Sequence, residues 1–476
     1  MKSTVADFLV EHKKENPISF HMPGHKGRKD LYDQCGYGDF LHNSIGNDIT
    51  EITGADALTQ PRGVIRQVMD NYAELYGVRH TELLVNGSST GLIAAILESV
   101  PRGGKLILGR NSHKSVFSAL RLGGIQPVYV KPEITEDHLQ GTITPKSIKC
   151  ALEENPDASA VLITSPNYYG VLSDIEGIAL ETHALDKILI VDQAHGAHLK
   201  FFDETARNKH GKHAAENLRA DLVVNSTHKT LASFTGTAIL NVCTDRVDIE
   251  SLSEKVRMLQ TTSPSYILMG SLDVNEKILR QNGTRLIQEW KSNLRYFYEG
   301  VEEIVGVHVI KNAEMDLSKI NLTMRAYGFG GSRLAAELEE RGIWTEMVHG
   351  DYVMLMTGIG NTRADYEALL EALRSISSAY GITEDLPAES DAMTSFDLPL
   401  RDIPSKREQI PLEKASGRVV YDSIVPYPPG VPFACPGEVL TEEAIQYLTS
   451  LLKTGITVLG VSEDQRISVG LEDWEL

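Results

Sequence analysis

From about residue 62 the apolar positions of the chain fall into a regular alternation. Val64 to Tyr76 places apolar side chains at three- and four-residue spacing, which predicts an amphipathic helix. Short apolar runs rich in Val, Ile and Leu follow at Leu83–Val85, Lys105–Leu108, Pro127–Val130, Ala160–Ile163, Ile188–Val191, Leu222–Val224 and Ala238–Leu240. Unbroken runs of this kind suit strands buried on both faces. Most are separated by helix-length segments such as Leu92–Ser99 and Pro145–Glu154. The alternation therefore predicts an α/β fold with a seven-stranded, mostly parallel sheet covered on both sides. The last two runs lie close together, so a short connection would let one of them run antiparallel.

The rhythm changes toward both ends. Residues 1–60 lack it and hold a Gly- and His-rich stretch, His21 to Gly27, and a polar stretch, Asn43 to Gly54; they read as an arm wrapped over a larger body. Residues 61–290 form the large domain, with 275–300 reading as a long helix leading out of it. A small α+β domain spans 291–382, with strands at Lys319–Met324, Ile343–Met347 and Tyr352–Met356 and helices at Ser332–Arg341 and Arg363–Tyr380. Residues 383–412, rich in Pro, Asp, Glu and Ser, read as a linker. Residues 413–476 form a C-terminal domain containing the turn-rich run Pro426-Tyr427-Pro428-Pro429-Gly430-Val431-Pro432.

Charge narrows the function. The 476 residues carry a net charge of −19, with a pI near 5.3. This argues against a nucleic-acid binder, which needs a basic face, but leaves room for a local phosphate pocket and a cationic substrate. Cys35, Cys150, Cys243 and Cys435 are far apart with no Cys-x-x-Cys pair, so buried free thiols are expected rather than disulfides or a metal site. The first 17 residues lack the apolar core of a signal peptide, and no run of 18 apolar residues occurs. The expected setting is the cytoplasm, with no membrane partner.

Four strand ends carry candidate chemistry. Ligands of open α/β sheets bind outside the carboxyl ends of the strands. After the first run comes Asn86-Gly87-Ser88-Ser89-Thr90-Gly91 and a helix, whose free N–H groups and hydroxyls form a phosphate cradle or, more plainly, an N-cap. After the second comes Arg110-Asn111-Ser112-His113, where an imidazole could stack on a ring or simply sit in a polar loop. The fifth ends in Asp192-Gln193-Ala194-His195. A carboxylate closing a buried strand is costly unless paired, and the protonated nitrogen of a pyridine ring is a suitable partner; the small Ala194 leaves room beneath such a ring. The sixth run ends in Asn225-Ser226-Thr227-His228-Lys229-Thr230. A lone lysine there is most often a solvated surface residue, yet it can form an imine with an aldehyde cofactor. Taken together, a phosphate cradle, a stacking ring, a carboxylate and a lysine at one sheet edge describe a site for pyridoxal 5'-phosphate (PLP).

At this point the chain resembles the Orn/Lys/Arg decarboxylases, PLP enzymes of the aspartate-aminotransferase fold (fold type I). It looks most like the short form of Gram-positive bacteria, without an N-terminal wing domain. The resemblance rests on His21-Met22-Pro23-Gly24-His25-Lys26-Gly27, Asp48-Ile49-Thr50-Glu51-Ile52 with Gly54, Ser226-Thr227-His228-Lys229, and Pro426 to Pro432 with Pro436-Gly437-Glu438. It implies that Lys229 is the Schiff-base lysine, that Asp192 pairs with the pyridine nitrogen, and that His113 stacks on the ring. Gly87, Ser88, Ser89, Thr90, Ser226 and His228 would surround the phosphate, with Ala194 beneath the ring and His195 near the phenolic oxygen. Thr262 and Ser263, within Thr261 to Tyr266, resemble a segment reaching the phosphate of a neighbouring subunit, which implies a homodimer or larger assembly with shared sites. His228 or Lys229 would return a proton to the substrate Cα. Gln193 departs from the family, whose short forms usually have Glu there. The implied reaction is decarboxylation of arginine, lysine or ornithine, with arginine favoured.

Rival readings are another fold type I activity, such as an aminotransferase or an aldolase-type lyase, and a silent PLP-binding scaffold. An aminotransferase would use a small-domain arginine for the substrate carboxylate, and Arg325, Arg333 and Arg341 are candidates. Lys209-His210-Gly211-Lys212-His213 reads as a solvated loop rather than a metal site, and Tyr327-Gly328-Phe329-Gly330-Gly331 as a turn before a helix rather than a dinucleotide loop.

Overall fold

The seven apolar runs pair into one sheet. A computed structural model describes residues 4–204, 213–312, 314–382, 398–401, 406–427, 431–453 and 457–471. The strands are β1 (His80–Leu84), β2 (Lys105–Gly109), β3 (Gln126–Val130), β4 (Ala158–Thr164), β5 (Ile188–Asp192), β6 (Leu222–Asn225) and β7 (Ala238–Val242), in spatial order β1-β7-β6-β5-β4-β2-β3. Only β7 is antiparallel to its neighbours; the other pairs are parallel. The connection from β6 to β7 holds a single helical turn, Thr227–Thr230, rather than the crossover helix that a parallel neighbour demands. That turn carries Lys229.

Consecutive apolar residues serve opposite faces of the sheet. Leu106, Leu108, Leu162 and Ile190 enter one core with the helix Ser88–Ser99. Ile107, Val161, Ile163 and Val191 enter another with the helices Pro145–Glu154 and Ile175–Ala184. This explains why runs, not alternation, mark these strands. The run at Leu83 understates β1, whose first residues are polar yet buried. His80 Nε2 lies 2.8 Å from Glu82 Oε1, and Thr81 Oγ1 donates to Asn241 Oδ1 at 2.8 Å.

The long helix spans Tyr266–Val301, beginning earlier than its apolar pattern suggests because the Ser265 hydroxyl caps it. Beyond it, a four-stranded antiparallel sheet runs in the order Met347–His349, Tyr352–Met356, Lys319–Thr323, His308–Val309. The single strand expected over Ile343–Met347 is broken in two. Ile343–Trp344 pairs in parallel with Ile18–Ser19 of the N-terminal segment, and the break turns Glu346 inward to accept the Met22 N–H at 2.9 Å.

Residues Arg407–Pro411 and Arg466–Gly470 pair, as do Val425–Tyr427 and Thr457–Leu459, beside the helix Glu442–Lys453. They share a core that includes Leu412, Val420, Phe433 and Leu448. This unit is tied to the end of β2: Arg110 Nε and Nη2 each donate to the Glu438 carboxylate at 2.7 Å, and its Nη1 and Nη2 also reach the carbonyls of Pro432 and Phe433. Residues 383–397 and 402–405 of the expected linker, 428–430 of the proline-rich run and 209–212 of the Lys/His loop lie outside the described residues. The cysteines are free, but only Cys435 is buried. Cys150 is exposed because its helix turns Ile148, Ala151 and Leu152 inward instead. Among the described residues no helix is long and apolar enough to cross a membrane.

Candidate active site

The carboxyl ends of β1, β2, β5 and β6 deliver the expected residues to one region. Beyond β1, Gly87 has φ +79°, a conformation that favours glycine. It opens the helix Ser88–Ser99, whose first turn presents unsatisfied N–H groups beside half-buried Ser88 and Ser89. Thr90 is buried, its hydroxyl donating to the Asn86 carbonyl at 3.4 Å. After β2, His113 caps the helix Lys114–Gly123, with its Nδ1 2.8 Å from Ser115 Oγ. Burial and the Lys229 charge push its pKa down to about 3, so the ring is neutral.

Asp192 closes β5 with 2% of its surface exposed and accepts the Ala194 N–H at 3.1 Å. Burial raises its pKa, against the Lys229 charge and that N–H. Lys229 Nζ stands 2.9 Å from His195 Nε2. Burial lowers the Lys229 pKa while Asp192 and Glu346 oppose it; the shift favours the neutral amine, the form that attacks a carbonyl. His228 Nδ1 bonds to the Thr237 carbonyl at 2.7 Å, which places a proton on Nδ1. Burial pushes its pKa down to about 4.

Several buried polar atoms here lack hydrogen-bond partners: Ser226 Oγ, Thr230 Oγ1, Thr164 Oγ1 and His195 Nδ1. Buried polar groups are rarely left so. With the Gly87 turn and the buried Asp192 carboxylate, the donor set fits a group carrying a phosphate, a ring nitrogen and an aldehyde.

The N-terminal segment completes the site. Gly24 N donates to the His228 carbonyl at 2.7 Å, and Gly360 N donates to the Gly24 carbonyl at 2.9 Å. A Cβ on Gly24 would lie 2.4 Å from the Thr230 carbonyl carbon. His21 to Gly27 is thus sandwiched between the lysine turn and the loop Gly358–Gly360. Lys26 Nζ reaches the Met356 carbonyl at 3.0 Å, and burial pushes its pKa down to about 7.

Residues 4–315 match the Orn/Lys/Arg decarboxylase major domain, and residues 388–465 match the C-terminal domain of the same family. The chain belongs to the Orn/Lys/Arg decarboxylase family. An arginine decarboxylase of Bacillus anthracis is 32% identical over 470 residues, covering 95% of this chain and 93% of the relative. Among solved structures, the constitutive lysine decarboxylase of E. coli aligns with a TM-score of 0.74 at 22% identity, over 98% of this chain and 81% of that one. A serine palmitoyltransferase of Sphingomonas wittichii aligns with a TM-score of 0.58 at 14% identity, over 76% of this chain and 88% of that one. The fold is fold type I.

Three residues of the decarboxylase reach the site without a signal in the sequence. Glu346 sits inside an apolar run, Lys319 opens another, and Asp316 lies in the preceding turn. Lys319 Nζ donates to the His195 carbonyl at 2.9 Å. Gln193, the departure from the family, is satisfied: its amide nitrogen meets Glu216 and Asn225 at 2.9 Å each, and its oxygen accepts the Ala215 N–H at 2.8 Å. A glutamate there would face Glu216. Thr262 and Ser263 are exposed in the turn before the long helix, unlike the enclosed residues. The candidate arginines are engaged elsewhere. Arg333 stacks 4.0 Å over Phe329, Arg341 pairs with Glu337, and Arg325 lines a separate cavity with Asp137 and His308.

Proposed function

We propose that the protein decarboxylates arginine to the corresponding amine and CO₂, with PLP carried on Lys229. The observation that carries this reading is the Lys229 amine, depressed in pKa, enclosed with the Asp192 carboxylate at one sheet edge. PLP would act as the electron sink for the pair left on Cα when CO₂ departs. Asp192 would hold a proton on the ring nitrogen. Gly87, Ser88, Ser89 and Thr90, with the unpartnered Ser226 hydroxyl, would hold the phosphate, and His228 would assist them. Neutral His113 would cover one ring face and Ala194 the other. His195 would orient Lys229 Nζ and stand near the phenolic oxygen, and His228 or Lys229 would return the proton to Cα.

Glu346 would receive the distal cation of the substrate. Its side chain is 11% exposed, it is anchored by the Met22 N–H, and its charge is felt at Lys229. Arginine comes first among the substrates because three Bacillus relatives are named arginine decarboxylases. Within this reading, residues 1–60 are an arm, 61–290 the cofactor domain, 291–382 the small domain and 413–476 the C-terminal domain, which also takes in the strand Arg407–Pro411 and Leu412 from the expected linker because they pair and pack with it. The enzyme works in the cytoplasm as a homodimer or larger assembly, with Thr262 and Ser263 reaching a neighbour's phosphate.

The test is CO₂ release from arginine, lysine and ornithine by the PLP-loaded protein. Release from arginine, lost in Lys229→Ala together with the visible cofactor absorbance, is expected. Normal turnover by Lys229→Ala would overturn the assignment, and release from lysine alone would move the substrate.

A further inference from the structure

A buried ion pair holds the backbone of His195, whose ring touches the candidate cofactor lysine. Lys319 and Asp316 expose 0% and 1% of their side chains. The Lys319 ammonium has three hydrogens to donate, and three acceptors stand around it: the His195 carbonyl at 2.9 Å, Asp316 Oδ2 at 3.0 Å and Ser318 Oγ at 3.1 Å. Asp316 is held in turn by the Ser318 N–H at 3.0 Å and by His198 Nε2 at 3.1 Å. An apolar pair of similar volume would usually stabilise a core at least as well, so stability alone is a poor reason for this arrangement.

Its position supplies a better one. His195 touches Lys229 Nζ through Nε2 at 2.9 Å, but its Nδ1 has no hydrogen-bond partner. The ring is therefore placed by its backbone and by packing. Lys319 grips that backbone at the carbonyl. The same turn also controls the packing side: Asp316 N donates to the Gly170 carbonyl at 2.8 Å, and a Cβ on Gly170 would come within 2.8 Å of the Asp316 carbonyl oxygen and 3.0 Å of Lys319 Cβ. Tyr168, in the same loop as Gly170, places its ring 4.7 Å from that of His195. Both supports of His195 thus come from the turn Asp316–Lys319 of the small unit.

We infer that Lys319, clamped by Asp316, is a positioning residue that holds His195 against Lys229 and couples the seating of the small unit to the reactivity of that amine. This rests on the reading of Lys229 as the cofactor lysine. The groups facing Lys229 are Asp192 and His195 from the end of β5, His113 from the end of β2, His228 on its own turn, and Glu346 and Lys319 from the small unit. Of these, Lys319 is a cation with no direct bond to Lys229. Removing its charge should raise the pKa of the Lys229 nitrogen, because a nearby like charge disfavours the protonated form.

The experiment compares wild type with Lys319→Met and Asp316→Asn/Lys319→Met. The double variant leaves no unpaired buried charge, so it guards against simple misfolding, checked by circular dichroism and melting temperature. The first readout uses cofactor-free protein: the rate at pH 8 at which an amine-reactive acetylating reagent modifies Lys229, measured by peptide mass. The second is the pH midpoint of visible absorbance in PLP-loaded protein. An upward shift on the order of half a pH unit is expected, with labelling of Lys229 slowed, by at most about threefold. Unchanged labelling and midpoint in a folded double variant would overturn the inference. Absence of a visible band in wild type, or its persistence in Lys229→Ala, would instead sink the cofactor reading, and labelling would still test the positioning role.

Discussion

Gly24→Ala tests whether the N-terminal segment is part of the active site. The added methyl would meet Thr230 C at 2.4 Å, Leu231 O at 2.5 Å and Leu231 N at 2.7 Å. All three are backbone atoms of the turn carrying Lys229, so no side-chain rotation relieves the clash. Either the turn shifts or the segment lifts, and lifting also breaks the bonds Gly24 N–His228 O and Gly360 N–Gly24 O. Overpacking of this kind costs about 1–3 kcal/mol, equivalent to roughly 5- to 150-fold in an equilibrium constant. The strain falls on the cofactor turn, so the loss should appear as weaker PLP retention and lower turnover, with little change in the melting temperature of the cofactor-free protein. PLP titration by absorbance, CO₂ release and thermal melting separate these effects. Gly330→Ala is the control, because nothing lies within 4 Å of its Cβ position and its φ is −77°. If Gly24→Ala binds PLP and turns over within about twofold of wild type, well inside the overpacking range, the reasoning fails.

Other expectations follow from the same geometry. Asp192→Asn keeps the size of the side chain but removes the charge, and CO₂ release should fall at least about a hundredfold while PLP stays bound; near-normal turnover would exclude the role given to this carboxylate. Glu438→Ala leaves the Arg110 guanidinium unpaired at a buried junction and should cost about 3–5 kcal/mol. The expected sign is trypsin cleavage within the C-terminal unit under conditions that leave wild type intact. Burial pushes His25 and His228 to about 4 and His113 to about 3 in the folded protein. Between the ordinary value of about 6.5 and these values the unfolded chain takes up protons that the folded one does not, so stability falls as pH drops through that window. Melting temperatures from pH 7 to pH 4 should therefore decline, less steeply in His25→Asn. The Lys26 ammonium is pushed down to about 7 by burial. The folded state sheds its proton first, so its cost is present below pH 7 and eases toward pH 10; Lys26→Met should flatten that rise in melting temperature.

The large sheet was legible because its signal is local. Strands buried on both faces need consecutive apolar residues, and each such run ends where the chain meets solvent or ligand, so Asp192 and Lys229 stand out as polar residues placed at strand ends. That one of the last two strands could reverse was legible in the short segment between them; that it is β7 was not. Motif spacing likewise marked His21 to Gly27 as unusual, though not where it lands. Polar burial has no such local mark. Glu82 and Thr81 lie within β1 because Ser253 and Asn241 complete their hydrogen bonds. Glu346 and Lys319 sit in apolar runs and look like solvent-facing punctuation, yet Met22 and the His195 carbonyl turn them inward. Gly24 matters because the Thr230 backbone passes where its side chain would be. A side chain's periodicity is set by its immediate neighbours, whereas the cost of burying a charge or a methyl is set by atoms hundreds of residues away, and those distances exist only once the chain has folded.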